Sequence, residues 1–319
     1  MHQSGFAGAM NFSLRQIRYF LATAQLGQVS RAAEQLHVTQ SAVTLSIRDL
    51  ERELGYTLFK RESHGMELTD DGRQFLSHAL EIETAIEKVR NIARTNEFTG
   101  DITLAASSTV VGYFLAEHIH RLSELHPRLQ ISIRELDRQQ ITAGLLAGEF
   151  PLALLVTSNV HDPRIRTQTL VDSGRRLWVA SGHPLLRRSE VHLADVVHEP
   201  LMLLTVDEAA DAAARYWGEY GLEPNVRLRS TSIEAVRSMV ANGQGVAIAS
   251  DMQYRPWSLE GKRVETILLE EPIQPLSIGM AWNADQPAAP ATQMVQDYFR
   301  KRYLDPPIGH KGTRRSARP

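Results

Sequence analysis

Four polar side chains recur at helical spacing between residues 40 and 48, and their chemistry suits contact with nucleic acid. They are Gln40, Ser41, Thr44 and Arg48, and successive turns of a helix would place them on one side. Amide and hydroxyl groups can bond to base edges in a DNA major groove, and an arginine can reach a base or a phosphate. We interpret this ridge as the surface that contacts DNA, and we call the helix that carries it the probe helix. The alternative is the solvated outer face of an ordinary amphipathic helix.

A second, apolar row on the same stretch would hold the ridge in position. Its members recur at spacings of four, three and four residues, and are Val43, Ile47, Leu50 and Leu54. This spacing predicts one buried face of a helix. Thr39 is a natural N-cap, because its hydroxyl can accept a hydrogen bond from a free backbone N–H of the first turn. Residues 27–54 therefore read as two helices joined by a tight turn at His37 and Val38.

The segment from Phe12 to Leu80 resembles the N-terminal region of LysR-type transcriptional regulators. The matching residues include LRQIRYFLATAQLGQVSRAAEQLHVTQSAVTLSIRDLERELGYTLFKR and GMELTDDGRQFL. The resemblance implies a winged helix-turn-helix domain that binds double-stranded DNA. Two positions depart from the family pattern: Ser41 stands where proline is usual, and Leu45 where a polar or basic residue is frequent.

A short hairpin should follow the probe helix, with a turn at His64-Gly65 and a second strand at Met66-Glu67-Leu68. In the family this hairpin is the wing, and Arg61 at its edge could contact a phosphate or the minor groove. An exposed surface arginine is the alternative. The expected DNA-binding residues are Arg31, Thr39, Gln40, Ser41, Thr44, Leu45, Arg48, Lys60 and Arg61.

A long helix is predicted from Thr69, which can serve as its N-cap, to about Phe98. Apolar residues alternate spacings of four and three along it, at Phe75, Ala79, Ile82, Ile86, Val89 and Ala93. Such a seam needs a partner along its length and predicts a dimer. The seam could instead pack on the protein's own second domain. The resemblance implies a linker helix paired between subunits and favours a tetramer of two dimers, although dimer and tetramer both remain open.

Composition sets broader bounds. The 319 residues are 43% hydrophobic, which suits two or three globular domains. No apolar run reaches the roughly 20 residues of a membrane span, and the start lacks a secretory pattern, so we expect a cytoplasmic protein without membrane contact. The absence of cysteine excludes disulfides and thiolate chemistry. A net charge of −2 gives no indication of a nucleic-acid partner.

From Gly100 onward, strands alternate with helices and predict an α/β fold with a parallel sheet. The runs VASGHPL and STSIEAVRSMVANGQGVAIAS resemble the family's C-terminal region, which implies a two-lobed, periplasmic-binding-protein-like effector domain. The expected division is a winged helix-turn-helix over 11–70, a linker helix over 71–98 and an effector domain over 99–304. Lobe I would cover about 99–172 and 276–304, and lobe II about 173–275. Residues 1–10 and 305–319 read as disordered ends.

Polar side chains follow several predicted strands, where open α/β sheets bind ligands. Three hydroxyls at a helix start, Ser107 to Thr109, suit a carboxylate or other small anion, as does Arg138. Simple N-capping, and a surface pair of Arg138 with Glu135 or Asp137, are the alternatives. By resemblance, Ser107 and Arg138 occupy effector-contacting positions. The full set of expected effector residues is Ser107, Ser108, Thr109, Arg138, Thr157, Ser158, Thr205, Thr231 and Ser232.

No enzyme motif is evident in the chain. His118 and His120 point to different helical faces and His126 lies beyond the helix, so a metal site is not expected. Gly243 and Gly245 precede a strand, which excludes a dinucleotide loop, and we expect no cofactor. The sequence therefore predicts a DNA-binding regulator controlled by a small anionic effector, with RNA polymerase as a further candidate partner. A solute-binding protein without a DNA role is the alternative.

Overall fold

The computed structural model describes residues 12–62, 65–91 and 99–304. It divides into two compact units, which we call the head unit (residues 12–91) and the sheet unit (residues 99–304) and describe separately. The predicted disordered ends, the end of the predicted linker helix after Asn91, and His64 of the predicted turn lie outside the described residues. None of the helices in these ranges is both long and apolar enough to span a bilayer.

Three helices form the body of the head unit: α1 (Leu14–Leu26), α2 (Val29–Gln35) and α3 (Gln40–Leu54). The predicted apolar row of α3 is confirmed, since Val43, Ile47 and Leu50 are buried in one core with Phe20 of α1. Thr39 caps α3 as predicted, accepting a hydrogen bond from the amide of Ala42 at 3.2 Å. Helix α3 ends at Gly55, whose φ of 78° is a left-handed conformation that glycine adopts without a side-chain penalty.

A hairpin follows, formed by β1 (Phe59–Glu62) and β2 (Gly65–Leu68), which pair antiparallel. The long helix α4 (Asp70–Asn91) then begins after Thr69. The Thr69 hydroxyl accepts a hydrogen bond from the amide of Gly72 at 2.8 Å and donates one to the carbonyl of Thr57 at 2.7 Å. The predicted cap therefore also ties the start of α4 to the residues that lead into β1.

The apolar seam of α4 divides into two parts. Phe75 and Ala79 are buried in the core of the head unit, and the Phe75 ring meets Phe20 edge-on with centroids 4.9 Å apart. Ile82 is partly buried against the same core, whereas Val89 is 66% exposed. Only the later part of the seam is thus free of the head's own core.

The sheet unit begins with a five-stranded mixed sheet of order β4-β3-β5-β12-β6. Its strands are β3 (Gly100–Ala106), β4 (Leu129–Glu135), β5 (Leu152–Val156), β6 (Ile165–Ser173) and β12 (Leu276–Asn283). The helices α5 (Ser108–Val110), α6 (Ala116–Leu125), α7 (Arg138–Ala147) and α11 (Pro290–Tyr303) belong to this half, and a π-helical turn, Val111–Leu115, joins α5 to α6. We use lobe I for this half.

The second half, lobe II, is built on β7 (Arg175–Ala180), β8 (Leu201–Leu204), β9 (Val226–Ser230), β10 (Ala247–Ser250) and β11 (Val264–Ile267). Its helices are α8 (Leu193–Val196), α9 (Ala209–Glu219) and α10 (Ile233–Ala241). The order β10-β7-β11 is antiparallel, and β8 pairs parallel with β9. Gly245 lies where a Cβ would be 2.0 Å from the carbonyl oxygen of Pro200, so this glycine serves close packing.

The predicted α/β fold is confirmed, but the prediction of a parallel sheet was incomplete. Strands β3, β4 and β5 run parallel, whereas β12 is antiparallel to both β5 and β6. Strands β6 and β11 were not predicted. β6 is an edge strand in which only Ile165, Leu170 and Ser173 are buried, and so few buried positions leave no clear alternation of apolar and polar residues.

His118 is a structural residue of lobe I. It is only 3% exposed, and its two ring nitrogens lie 2.8 Å from the hydroxyls of Tyr298 and Tyr303 on α11. Burial, aided by the charges of Arg302 and Arg121, lowers the pKa of His118 from 6.5 to about 3. The neutral imidazole therefore joins α6 to the last helix of the lobe.

This lowered pKa predicts a loss of stability in mild acid. The unfolded chain binds a proton at His118 below pH 6.5 and the folded chain resists it down to about pH 3, so stability falls as pH falls through this window. Between pH 7.5 and 5.5, His118 should contribute a loss of about 1.4 kcal/mol. Tryptophan fluorescence during urea unfolding would measure it, because all four tryptophans lie in the sheet unit.

The matched variants are His118→Phe and His120→Gln, since His120 is an exposed histidine on the same helix. The His118→Phe protein should have a shallower dependence of unfolding free energy on pH, and His120→Gln should follow the unsubstituted protein. Equal pH dependence in all three proteins would contradict the assignment.

Candidate functional site

The polar ridge of α3 faces outward, as the sequence predicts. Gln40, Ser41 and Arg48 are exposed, Thr44 is half-buried, and Leu45 beside them is 62% exposed. The hydroxyl of Ser41 lies 3.0 Å from that of Thr39. These side chains form one continuous surface strip that a groove-shaped partner can reach.

Three of the four cations expected at this surface have no acidic partner among the described residues. Arg48, Lys60 and Arg61 are exposed, and none of them forms an ion pair with any residue in the described ranges. Arg52, one turn further along α3, is instead paired with Asp49 at 2.7 Å. Arg31 belongs to α2, and its side chain lies outside the description. Positive charge is therefore left uncompensated on the probe helix and on β1, although the net charge of the chain is negative.

An acidic side chain fixes the hairpin relative to the probe helix. The Glu51 carboxylate of α3 accepts hydrogen bonds from the backbone amides of Leu58 at 2.7 Å and Phe59 at 3.2 Å. Hydrogen bonds from backbone amides to a carboxylate are stronger than neutral ones. Glu51 thus holds the strand that carries Lys60 and Arg61 at a set position beside α3.

In the sheet unit, the predicted hydroxyl cluster lies at the start of the helix that follows β3. Ser107 is the N-cap residue of α5 but makes no capping bond with its side chain. Its hydroxyl instead donates to the carboxylate of Asp207 at 3.1 Å, and the Thr109 amide donates to the same oxygen at 2.7 Å. Ser108 donates to Glu135 at 2.6 Å. The Ser107 and Ser108 hydroxyls and the Thr109 amide are thus bonded to carboxylates of the protein itself.

The predicted arginine is paired in the same way. Nε of Arg138 lies 3.1 Å from a carboxylate oxygen of Glu208, rather than pairing with Glu135 or Asp137. The N–H is not directed at that oxygen, so the contact is an ion pair without a well-aligned hydrogen bond. Desolvation raises the pKa of Glu208, and the charge of Arg138 opposes this effect.

The loop that supplies both acids has an unusual backbone. Asp207 (φ 50°, ψ 43°) and Glu208 (φ 55°, ψ 30°) are both in the left-handed region, and with His37 they are the non-glycine residues of positive φ in the described chain. Each such residue costs of the order of 1–3 kcal/mol and persists where surrounding contacts hold it. The bonds to Ser107, Thr109 and Arg138 are contacts of that kind.

Further contacts cross between the lobes beside this loop. The Tyr113 hydroxyl lies 3.4 Å from the Glu234 carboxylate, which also pairs with the buried Arg237. The side-chain amide of Gln253 donates weakly to the Thr109 hydroxyl at 3.4 Å. These contacts, with those of Asp207, hold the lobes together around the start of the 108–125 helix.

Two arginines of lobe II, Arg215 and Arg175, bond to carbonyl oxygens. Arg215 of α9 donates to the buried side-chain carbonyl of Asn159 at 2.9 Å, and Nε of Arg175 donates to the backbone carbonyl of Gln274 at 3.0 Å. The pKa of Arg175 is lowered by burial and, to a smaller degree, by the charge of Arg215, while Tyr216 opposes the shift. Neither arginine has a carboxylate partner among the described residues.

The remaining predicted effector residues are dispersed. Thr157 is buried and lies 3.0 Å from the hydroxyl of Thr169, and Ser158 follows it in a 3-10 turn. Thr205 precedes the acidic loop. Thr231 is exposed, and Ser232 caps α10 by accepting from the amide of Ala235. The structure therefore brings Ser107, Thr109 and Arg138 to one acidic loop, and gives Ser232 a local capping role.

Several residues of this region were not predicted: Asn159, Asp207, Glu208, Arg215, Glu234 and Gln253. Asp207 and Glu208 read in the sequence as an acidic start to a helix, which is a common arrangement. The only local sign of another role was their position after strand β8. Within residues 12–62, 65–91 and 99–304, no group of three His, Asp or Glu side chains is arranged to hold a metal ion.

Comparison with known proteins covers both units. A model described as the LysR substrate binding domain matches residues 95–303. A model described as a bacterial regulatory helix-turn-helix protein of the lysR family matches residues 14–73. These matches include the probe helix and the hairpin in one unit and the acidic loop in the other.

Individual relatives match over most of the chain. The HTH-type transcriptional regulator IlvR of Caulobacter vibrioides is 31% identical over 292 residues, covering 88% of this chain and 95% of the relative. The DNA-binding transcriptional dual regulator OxyR of Escherichia coli is 26% identical over 295 residues, covering 91% and 95%. The solved structure of HinK from Pseudomonas aeruginosa, a LysR family transcriptional regulator, is 28% identical with a TM-score of 0.60, covering 91% and 98%.

Proposed function

The chain belongs to the LysR family of bacterial transcriptional regulators, and from that premise we propose how its two units act. It is a DNA-binding regulator with an effector-binding domain. The observation that carries the proposal for DNA recognition is the exposed ridge of α3, flanked by cations that form no ion pair with the described residues. We assign DNA contact to Arg31, Thr39, Gln40, Ser41, Thr44, Leu45, Arg48, Lys60 and Arg61.

Within this surface, side chains would divide the work. Gln40, Ser41 and Thr44 have the hydrogen-bonding groups that read base edges in a major groove. Leu45 is exposed where its apolar side chain could meet a thymine methyl group. Lys60 and Arg61, on the hairpin that Glu51 fixes, would contact phosphates and set the orientation of α3.

A dimer would present two such surfaces to one DNA. The support is the later seam of α4, where Val89 is exposed and Ile86 is half-buried. Pairing along this seam would bury apolar surface that the head's own core does not cover. We propose a dimer reading a dyad whose half-sites are one helical turn, or a multiple of it, apart, and assembly of two dimers into a tetramer.

In the sheet unit, the cleft between lobes I and II is the proposed effector site. Ser107, Thr109 and Arg138 already bind carboxylates of the protein at short distances, which supports a carboxylate or similar anion as the effector. Its binding would favour one arrangement of the lobes and so shift the population of DNA-binding dimers. We further propose the division at residues 11–70, 71–98 and 99–304, a cytoplasmic location and contact with RNA polymerase.

The assignment of Arg48 predicts a change in salt dependence. Arg48→Ala should weaken DNA binding, and the slope of log affinity against log salt should fall by about one for each reading helix if Arg48 contacts phosphate. Fluorescence anisotropy would measure it, with a duplex that the unsubstituted protein has selected from random DNA. Arg52→Ala is the matched control, because Arg52 is already paired with Asp49. A slope unchanged in Arg48→Ala would exclude the phosphate contact.

The proposed dimer seam predicts an effect of charge at Val89. Val89→Glu would place two carboxylates in an apolar seam, so the dissociation constant of the dimer should rise at least about tenfold, a cost of about 1.4 kcal/mol. Analytical ultracentrifugation of the full chain measures this constant. Ser77→Glu adds the same charge at an exposed position of α4 outside the seam and should leave it unchanged. Unaltered assembly in Val89→Glu would rule out the seam as the interface.

The proposed effector site predicts ligand-dependent stabilisation of the sheet unit. In a screen of small carboxylates, a ligand at a hundredfold excess over its dissociation constant should raise the free energy of unfolding by about 2.7 kcal/mol. The response, followed by tryptophan fluorescence, should be lost in Ser107→Ala and Arg138→Ala. It should persist in Arg134→Ala, whose side chain pairs with Glu149. A ligand whose effect survives both substitutions would place the site elsewhere.

A further inference from the structure

We propose that Asp207 is an internal ligand of the effector cleft: its carboxylate occupies the position that the carboxylate of an effector would take, and it determines how tightly the cleft binds free carboxylates. This inference rests on the proposed function, because it concerns the same cleft. It identifies a residue that determines ligand affinity. It also adds a step to effector binding, because the Asp207 carboxylate must first leave its hydrogen-bond donors.

The bonding of Asp207 is that of a bound anion. One carboxylate oxygen accepts from the Ser107 hydroxyl at 3.1 Å and from the Thr109 amide at 2.7 Å. Both donors belong to lobe I, at the point where β3 ends and the 108–125 helix begins. Asp207 belongs to lobe II, about a hundred residues later in the chain. The two donors of lobe I therefore bind a carboxylate that belongs to the other lobe, in the way that they could bind the carboxylate of a free ligand.

The neighbouring acid completes the occupation. Glu208 pairs with Arg138, the cation that the sequence assigns to an anionic ligand, with 3.1 Å between the charged groups. Their side chains are only 30% and 21% exposed for Arg138 and Glu208. Two adjacent residues of one loop thus neutralise both anion-binding groups of lobe I at once.

The backbone of the loop between β8 and α9 is strained at both acidic residues. Asp207 and Glu208 both adopt left-handed conformations, at φ of 50° and 55°, which non-glycine residues avoid unless other contacts hold them. Release of the two carboxylates would let both residues leave this region. Binding to Ser107 and Arg138 is therefore coupled to a strained loop between β8 and α9.

Competition follows from this arrangement. A tethered ligand acts at an effective concentration of about millimolar or more, so a free carboxylate must displace Asp207 before it can bond to Ser107 and Thr109. Effectors that succeed need additional contacts in the cleft. A small carboxylate without such contacts should bind more weakly while Asp207 is present than after its removal.

Acetate is the probe that tests the exchange. In full-length protein, thermal unfolding followed by tryptophan fluorescence would be measured against potassium acetate, with potassium chloride at matched ionic strength as reference. The Asp207→Gly variant removes the carboxylate and suits the positive φ at this position. We expect saturable stabilisation by acetate, half-maximal at a concentration at least tenfold lower than in the unsubstituted protein. Asp207→Ser, a second deletion of the carboxylate, should respond in the same way.

Three further variants make the result specific. Asp207→Asn removes the charge but fills the space, so it should show no acetate response. Asp211→Asn neutralises an exposed acid on α9 and should behave like the unsubstituted protein. Adding Ser107→Ala to Asp207→Gly should abolish the response. Equal acetate dependence in the unsubstituted, Asp207→Gly and Asp207→Ser proteins, or an equal response in Asp207→Asn, would overturn the proposal.

DNA binding of the same proteins separates this inference from the proposed function. If the unsubstituted chain selects and binds a DNA duplex but Asp207→Gly gains no acetate response, the internal ligand is wrong and the regulator stands. If the chain binds no specific DNA, the proposed function fails whatever acetate does. If Asp207 is the internal ligand, acetate should also change the affinity of the Asp207→Gly protein for DNA. This change should be larger than the change that acetate causes in the Asp211→Asn protein.

Discussion

The requirement that charged and polar groups removed from water find partners organises this molecule. In the sheet unit it joins the two lobes, because the half-buried carboxylate of Asp207 in lobe II accepts hydrogen bonds from the Ser107 hydroxyl and the Thr109 amide of lobe I. It also fixes lobe I internally, where the buried His118 lies between two tyrosine hydroxyls of the last helix. In the head unit, the Glu51 carboxylate accepts hydrogen bonds from the backbone amides of Leu58 and Phe59, where the hairpin begins.

Three exposed cations of the head unit lack such partners. Arg48, Lys60 and Arg61 form no ion pair within the described chain, so water hydrates their charges, and we propose that DNA phosphates replace this water. In the sheet unit, Arg215 and Arg175 donate to carbonyl oxygens and form no ion pair with a carboxylate of the described residues.

The proposed pairing of Asp207 and Glu208 with the effector site would affect how strongly an effector binds. Any effector that binds at Ser107 and Arg138 must exchange with carboxylates that the protein already supplies there, so its net gain is a difference between two similar interactions. Such a difference can be small enough to be reversible and still shift a conformational population. The strained backbone at Asp207 and Glu208 adds to that difference, since it favours release.

The sequence by itself determined the family, the α/β class, the probe helix and the residues that face outward from it, because helical periodicity and cap chemistry are local. It also predicted the hydroxyls at Ser107 to Thr109 and the arginine at 138 as groups suited to an anion. It did not determine the antiparallel strand β6, whose polar edge has little periodicity, or the early burial of the α4 seam by Phe20. Above all, only the tertiary structure decided that Asp207 meets Ser107 and that Glu208 meets Arg138. These partners are 100 and 70 positions apart in the chain, so their contacts depend on how the two lobes pack and leave no trace in local spacing.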